Sequence, residues 1–280
     1  MLDADALRAL EAIGAGDVRE LARIVAEAPQ VLHASLDHAD VAYEPGQRPK
    51  LLHAVFVIAK DRRELPVVEL AGVLLEAGAD PNAVTGDPKG NTVLALAAAY
   101  GFVDALEPLV RAGASVDDEA LDAYGMSALD HCLFTATSLA SAERLAQLGA
   151  PLSVTRCAGL GRVDGVRAEL DALRVDEGLR VASFLTACMC GRLEVVQLLV
   201  EQAGAEPDVF PPGEEFAGIG ASGLHWAASA GHLDVVRYLV EHAGADTTMC
   251  DDVYQSTALG WAEHAAQQQV VDYLRPHALP

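Results

Sequence analysis

The chain has 280 residues, 51% of them hydrophobic but only 5% aromatic, so Ala, Leu and Val must supply most of any core. Its 41 acidic residues against 19 basic ones give a formal charge of −22, a field that repels phosphate backbones and excludes nucleic acid as an expected partner. Met1-Leu2-Asp3-Ala4-Asp5 has no basic n-region, no run approaches the ~20 apolar residues of a membrane helix, and Cys132, Cys157, Cys188, Cys190 and Cys250 lack C-x-x-C spacing, so a cytoplasmic protein with free thiols is expected.

In chain order, Ala4–Ile13, the turn Gly14-Ala-Gly-Asp17 and Val18–Ala28 read as a helix pair with Arg8, Glu11, Arg19, Glu20, Arg23 and Glu27 on its outer faces. Leu51-Leu-His-Ala54 opens the next unit, which stops at Ala77-Gly-Ala-Asp-Pro-Asn82; Asp61–Pro66 lengthens the link between its helices. Thr92-Val-Leu94 begins a unit that passes Gly101 and closes at Ala112-Gly-Ala114, and Ser127-Ala-Leu129 begins one that closes at Leu148-Gly-Ala150. Fainter copies run from Val154 to Gly161 and from Phe184 to Gly191, the latter closing at Ala203-Gly-Ala205. The clearest copy starts at Ser222-Gly-Leu-His-Trp-Ala-Ala228, turns at Gly231 and closes at Ala243-Gly-Ala-Asp246; Thr257-Ala-Leu-Gly-Trp-Ala262 begins the last.

Each unit therefore reads as a short helix, a glycine turn, a second helix and a glycine stop. Ser or Thr at the start of a first helix can cap its free N–H groups, and the closing glycine can take the left-handed conformation that ends a helix. A lone helix pair leaves an apolar face that only a stacked neighbour covers. The anchors Leu52, Leu94, Leu129, Val154, Phe184, Leu224 and Leu259 lie 42, 35, 25, 30, 40 and 35 residues apart. Such spacing fits helical repeats with periods of about 33 or 34 residues alike, so the residues must decide between them.

Gly223-Leu224-His225-Trp-Ala-Ala228 resembles the T-P-L-H-x-A signature of the ankyrin repeat. Ala77-Gly-Ala-Asp-Pro-Asn82 and Ala243-Gly-Ala-Asp246 resemble the stop between its second helix and the next hairpin finger. On these residues the chain is similar to the ankyrin-repeat family, of bacterial type, over almost its whole length. It departs from the signature where Val93, Ala128, Gly223 and Ala258 replace proline, and it keeps the histidine only as His53 and His225. The resemblance implies an all-α ankyrin-repeat solenoid of stacked helix–turn–helix units with short hairpin fingers, about seven repeats plus an N-terminal helical cap. One domain over 1–280 is expected, with a cap pair at 1–40, internal repeats at 41–256 and a C-terminal cap repeat at 257–280. The short interval before Val154 predicts a kink or a truncated finger there.

No G-x-S-x-G elbow, P-loop or H-E-x-x-H occurs, and Gly159-Leu-Gly161 lacks the preceding strand of a dinucleotide site. Cys188-Met-Cys190 does not match a structural zinc spacing, and Cys188 takes the place of a small core alanine. No catalytic residue, metal or cofactor is expected. His53 and His225 are implied by the resemblance to bond a neighbouring loop; His232, after a turn glycine, is expected to do likewise, and Trp226 and Trp261 share a packing register.

The resemblance further implies that a partner meets the concave face, built from fingers and the exposed ends of first helices. Carried onto this sequence, that face holds Tyr100, Phe134, Met189, Cys190, Ser229, Ala230 and His264 at helix ends, and Lys89, Asn91, Tyr124, Met126, Val253 and Tyr254 at finger tips. Tyr100, Tyr124, Met126, Phe134 and Tyr254 stand out as hot-spot candidates in a chain so poor in aromatics. Asp117-Asp118-Glu119 and Asp251-Asp252 put acid in the fingers, either as a stripe that steers a basic partner or as solvated loops. A long finger from Glu206 to Ser222 carries Phe210 and Phe216. The expected function is a non-catalytic protein–protein interaction module, monomeric, with a basic protein partner and no membrane or nucleic-acid contact. An immunity or inhibitor protein that blocks an enzyme or toxin is the alternative, and a metal- or ligand-dependent enzyme a lesser one.

Overall fold

Short runs of Ala, Leu and Val between glycines give helices of two to three turns. The computed structural model describes residues 4–36, 49–85, 90–116, 126–134, 138–172, 175–210 and 220–277. By its contacts the chain divides into two units, residues 1–151 and 152–280. Unit 1 contains α1 (Ala4–Ala15), α2 (Val18–Glu27), α3 (Leu51–Ala59), α4 (Val67–Glu76), α5 (Val93–Ala99), α6 (Val103–Arg111), α7 (Ala128–Phe134) and α8 (Leu139–Gln147). Unit 2 contains α9 (Val154–Leu160), α10 (Val163–Asp171), α11 (Glu177–Met189), α12 (Leu193–Glu201), α13 (Gly223–Ala230), α14 (Leu233–Glu241), α15 (Ala258–His264) and α16 (Gln268–Leu274). Two 3-10 turns, Pro29–His33 and Arg275–His277, complete the regular structure, and the described residues form no strand beyond isolated bridges.

Within each unit the odd-numbered helices pack in one row and the even-numbered helices in a second. Phe56, Ile13, Leu21, Ile24 and Leu70 fill the space between the rows in unit 1. Phe184, Leu224, Leu239 and Val236 do so in unit 2, with Cys188 among them in the small-residue slot that the sequence pattern gives it. Helix starts are capped as anticipated at Thr92, whose Oγ1 accepts from Ala95 N at 3.1 Å, and at Thr257, which accepts from Gly260 N at 3.4 Å. Ser222 differs. Its hydroxyl lies 2.9 Å from His225 Nδ1 and forms no side-chain cap.

Backbone hydrogen bonds that helices cannot satisfy are taken up between repeats. Asn82 donates to Gly113 O and accepts from Ser115 N, both at 2.8 Å. The Asp208 carboxylate accepts from Asp246 N at 3.0 Å. Gly220 N donates to Asp252 Oδ1 at 2.7 Å, and Asp252 N returns a bond to Gly220 O at 3.0 Å. A second set of ties crosses from the start of a second helix to the first helix of the preceding pair: Arg192 Nε to Gly159 O at 2.8 Å, His232 Nε2 to Met189 O at 3.0 Å, Gln267 Nε2 to Ser229 O at 3.2 Å. The lengthened link after α3 is also structural. Arg62 donates to Gly14 O, Leu65 is buried, and the Arg63 guanidinium lies 4.6 Å from the Phe102 ring centroid.

His53 illustrates how tightly these ties are set. Its Nδ1 accepts from Lys50 N at 3.1 Å, so Nε2 carries the proton and donates to Ala83 O at 3.0 Å. Burial pushes its pKa down from 6.5 to about 4, and the backbone groups of Ala83 and Asn91 oppose this only in part. A folded pKa below the unfolded one means that the unfolded chain binds the extra proton. His53 should therefore cost no stability above pH 6.5, and should remove up to roughly 3 kcal/mol as pH falls from there towards 4. Urea melts of wild type and His53→Gln across that range measure it: the stability difference between the two should shrink with falling pH, and a constant difference would refute the assignment.

Candidate functional site

The expected binding surface is built from finger tips and first-helix ends. In unit 2 the finger 250–257 is closed by the Cys250–Thr257 bridge and by Asp251 N donating to Ser256 O at 3.0 Å. Its tip presents Val253, 52% exposed, and Tyr254, 66% exposed. Beneath the tip the Trp261 ring meets Tyr254 at 6.3 Å and 68°, Trp226 at 5.1 Å and 83°, and His225 at 5.5 Å and 73°. These edge-to-face contacts are the favoured geometry for aromatic quadrupoles. The structure thus gathers the two tryptophans and one of the tyrosines into a single corner.

Asp251 is corrected from a surface acid to a structural one. It has no exposed surface, and its carboxylate accepts from Val253 N at 2.9 Å, Tyr254 N, Ser256 N at 3.0 Å and Trp261 Nε1 at 3.0 Å. It lies under a thin cover, the finger's own backbone. Burial alone would push its carboxyl up, but the bonds donated by Trp261 and by the three backbone amides hold it below its ordinary value. A carboxylate so engaged presents nothing to a partner; it fixes Trp261 and the loop that carries Tyr254. Asp252 is exposed, and one of its oxygens is taken by Gly220 N.

In unit 1, Tyr100 ends α5 partly covered, and burial raises its phenol to about 12. Asn91 is clasped through its backbone, its N–H donating to Thr85 Oγ1 at 3.0 Å and its carbonyl accepting from Thr85 N at 3.1 Å. Met126, Phe134 and Phe210 are partly exposed. Met189 and Cys190, expected at an exposed helix end, are buried at 4% and 2%, because the following repeat closes over them through His232. Lys89, Asp117, Asp118, Tyr124 and Phe216 lie outside the described residues.

Titratable groups in the core are committed to packing. Burial raises the thiols of Cys132 to about 12 and Cys190 to about 11, and holds Cys188 well above the usual range, so all three stay protonated and poorly nucleophilic. His225 Nε2 bonds Ser256 O at 3.1 Å, and burial lowers its pKa. Among the described residues no group of three His, Cys, Asp or Glu is placed to hold a metal ion, and no helix is long and apolar enough to cross a membrane.

Sequence comparison bears on the same region. A search among curated proteins gives no match. The family model described as ankyrin repeats (3 copies) matches residues 184–279, from the buried Phe184 in α11 to beyond α16. Ankyrin repeats are in general non-catalytic protein–protein interaction modules. Over residues 184–279 the chain is similar to ankyrin repeats.

Proposed function

We propose that the protein is a non-catalytic binding module that holds a basic protein partner on its finger and first-helix face, with Tyr254 and Val253 as the apolar anchor. The observation that carries this reading is an exposed tyrosine and valine on a loop whose backbone is fixed from below by Asp251 and Trp261. Ordering a mobile side chain at an interface costs about 0.5–1.5 kcal/mol, and a preset aromatic avoids part of that. The charge of −22 favours a partner of opposite sign. Four buried free thiols and an exposed fifth suit a reducing compartment.

The test is affinity capture from the source cell with the full chain, comparing wild type with Val253→Ser/Tyr254→Ala. Retention of a specific partner should fall by about tenfold or more, as for loss of an aromatic hot spot, and should weaken with added salt. An undiminished set of captured proteins, with both chains equally folded by circular dichroism, would remove this corner from the interface.

A further inference from the structure

One repeat breaks the pattern in a way that builds a pocket. With Phe184 in the register of Leu224 and Leu259, the first helix of its repeat would begin at Ser183, as α13 begins at Gly223 and α15 at Ala258. Instead α11 begins at Glu177, capped by Asp176, which accepts from Leu179 N at 2.8 Å. The added turns put Arg180 beside the ends of α10 and α12. Between these three elements lies a half-open pocket of about 380 Å³.

Its lining is chemically mixed. Leu170, Val175, Leu198 and Ala203 form the apolar part, each packed into or against the unit 2 core. The polar part comes from Arg167, Arg180, Asp171 and Gln202. Arg167 Nη1 donates to Gln202 Oε1 at 2.9 Å, which orients that guanidinium and leaves its other donors unused among the described residues. The Arg180 side chain makes no hydrogen bond or ion pair among the described residues, although acids outnumber bases by more than two to one in the chain. Two guanidiniums against one carboxylate leave the lining with a single net positive charge.

From this geometry we infer a ligand site, separate from the finger-tip corner, for an amphiphilic monocarboxylate: a small acid whose carboxylate meets Arg180 and Arg167 while a short branched apolar body rests on Leu170, Leu198 and Val175. Guanidinium forks pair bidentately with carboxylates, and partial desolvation at the pocket mouth strengthens the pair. Inorganic phosphate has no apolar body to place, and its second charge would face Asp171. The matching chemistry is offered both by free branched-chain acids and by the C-terminal residue of a peptide ending in leucine.

Amide NMR titration of the full-length protein tests the site with N-acetyl-leucine as probe. Localised shifts around Arg180, Gln202 and Ala203 are expected, saturating with a dissociation constant of about 1 mM or tighter, as suits so few heavy atoms. The methyl ester of the same probe should bind about tenfold or more weakly, Arg180→Ala should cause a similar loss, and Asp171→Asn should tighten binding by a few-fold. Thermal melts check that the variants fold. A pentapeptide ending in a leucine carboxylate, compared with its C-terminal amide, separates the two sources: tighter binding than N-acetyl-leucine assigns the site to peptide termini, and equal or weaker binding assigns it to free acids. No localised shift at about 20 mM probe, an ester that binds equally well, or an unchanged affinity in Arg180→Ala would overturn the inference.

Discussion

Replacing Asp251 with alanine should destabilise unit 2 by about 3 kcal/mol and detach the Tyr254 loop from Trp261. The carboxylate receives four donors, three of them backbone amides of the same finger, from a site with no exposed surface. Each buried donor left without an acceptor costs about 1–3 kcal/mol, and partial opening of the finger to water recovers some of that. Asp251→Asn keeps one acceptor oxygen and should lose about half as much. The acid limb gives a second readout. Because the carboxyl is held below 3.8, its contribution is complete above that value and fades as pH falls through its lower folded pKa. Wild type should therefore lose stability in that range relative to Asp251→Asn. Guanidinium unfolding followed by tryptophan fluorescence reads both effects, since Trp261 is itself a donor to this carboxylate. An Asp251→Ala variant as stable as wild type would show that the finger is held by something else.

The same residue marks the boundary of what the sequence makes legible. Helix pairs can be placed from it because glycine stops and apolar spacing are local signals, and the turn glycines Gly101, Gly161, Gly191 and Gly231 all take positive φ. The direction in which a finger acid points is not such a signal. Asp251 and Asp252 are adjacent and chemically identical, yet one turns under its own loop and the other reaches Gly220 on the neighbouring finger. A clue was present, since Asp followed by turn residues is prone to bond backbone N–H groups two and three positions on. Val253 N and Tyr254 N occupy those positions. The pocket beside Arg180 was beyond reach for a different reason. It depends on α11 starting at Glu177, and helix boundaries are fixed by caps such as Asp176, not by the apolar period that identifies the repeat.

Gly191 to alanine should cost about 3–4 kcal/mol, against about 1 kcal/mol for Gly204 to alanine. Both glycines have φ of +68°, so the left-handed backbone penalises alanine equally at each. Around Gly204 a new Cβ would meet nothing within 4 Å. At Gly191 it would come within 2.5 Å of His232 Nδ1 and 2.7 Å of the ring carbons. The imidazole has little freedom to swing aside, because its Nε2 is bonded to Met189 O at 3.0 Å, the tie that closes this repeat over Met189 and Cys190. Gly231 faces Gln267 in the equivalent place, but that side chain is flexible, so its alanine variant should fall between the two. His232→Ala removes the obstacle along with its hydrogen bond. In a double-mutant cycle measured by urea unfolding, Gly191→Ala should cost about 2 kcal/mol less in the His232→Ala background than in wild type. Equal costs for Gly191→Ala and Gly204→Ala, or a cycle with no coupling, would mean that neighbouring repeats are not interlocked through these turns.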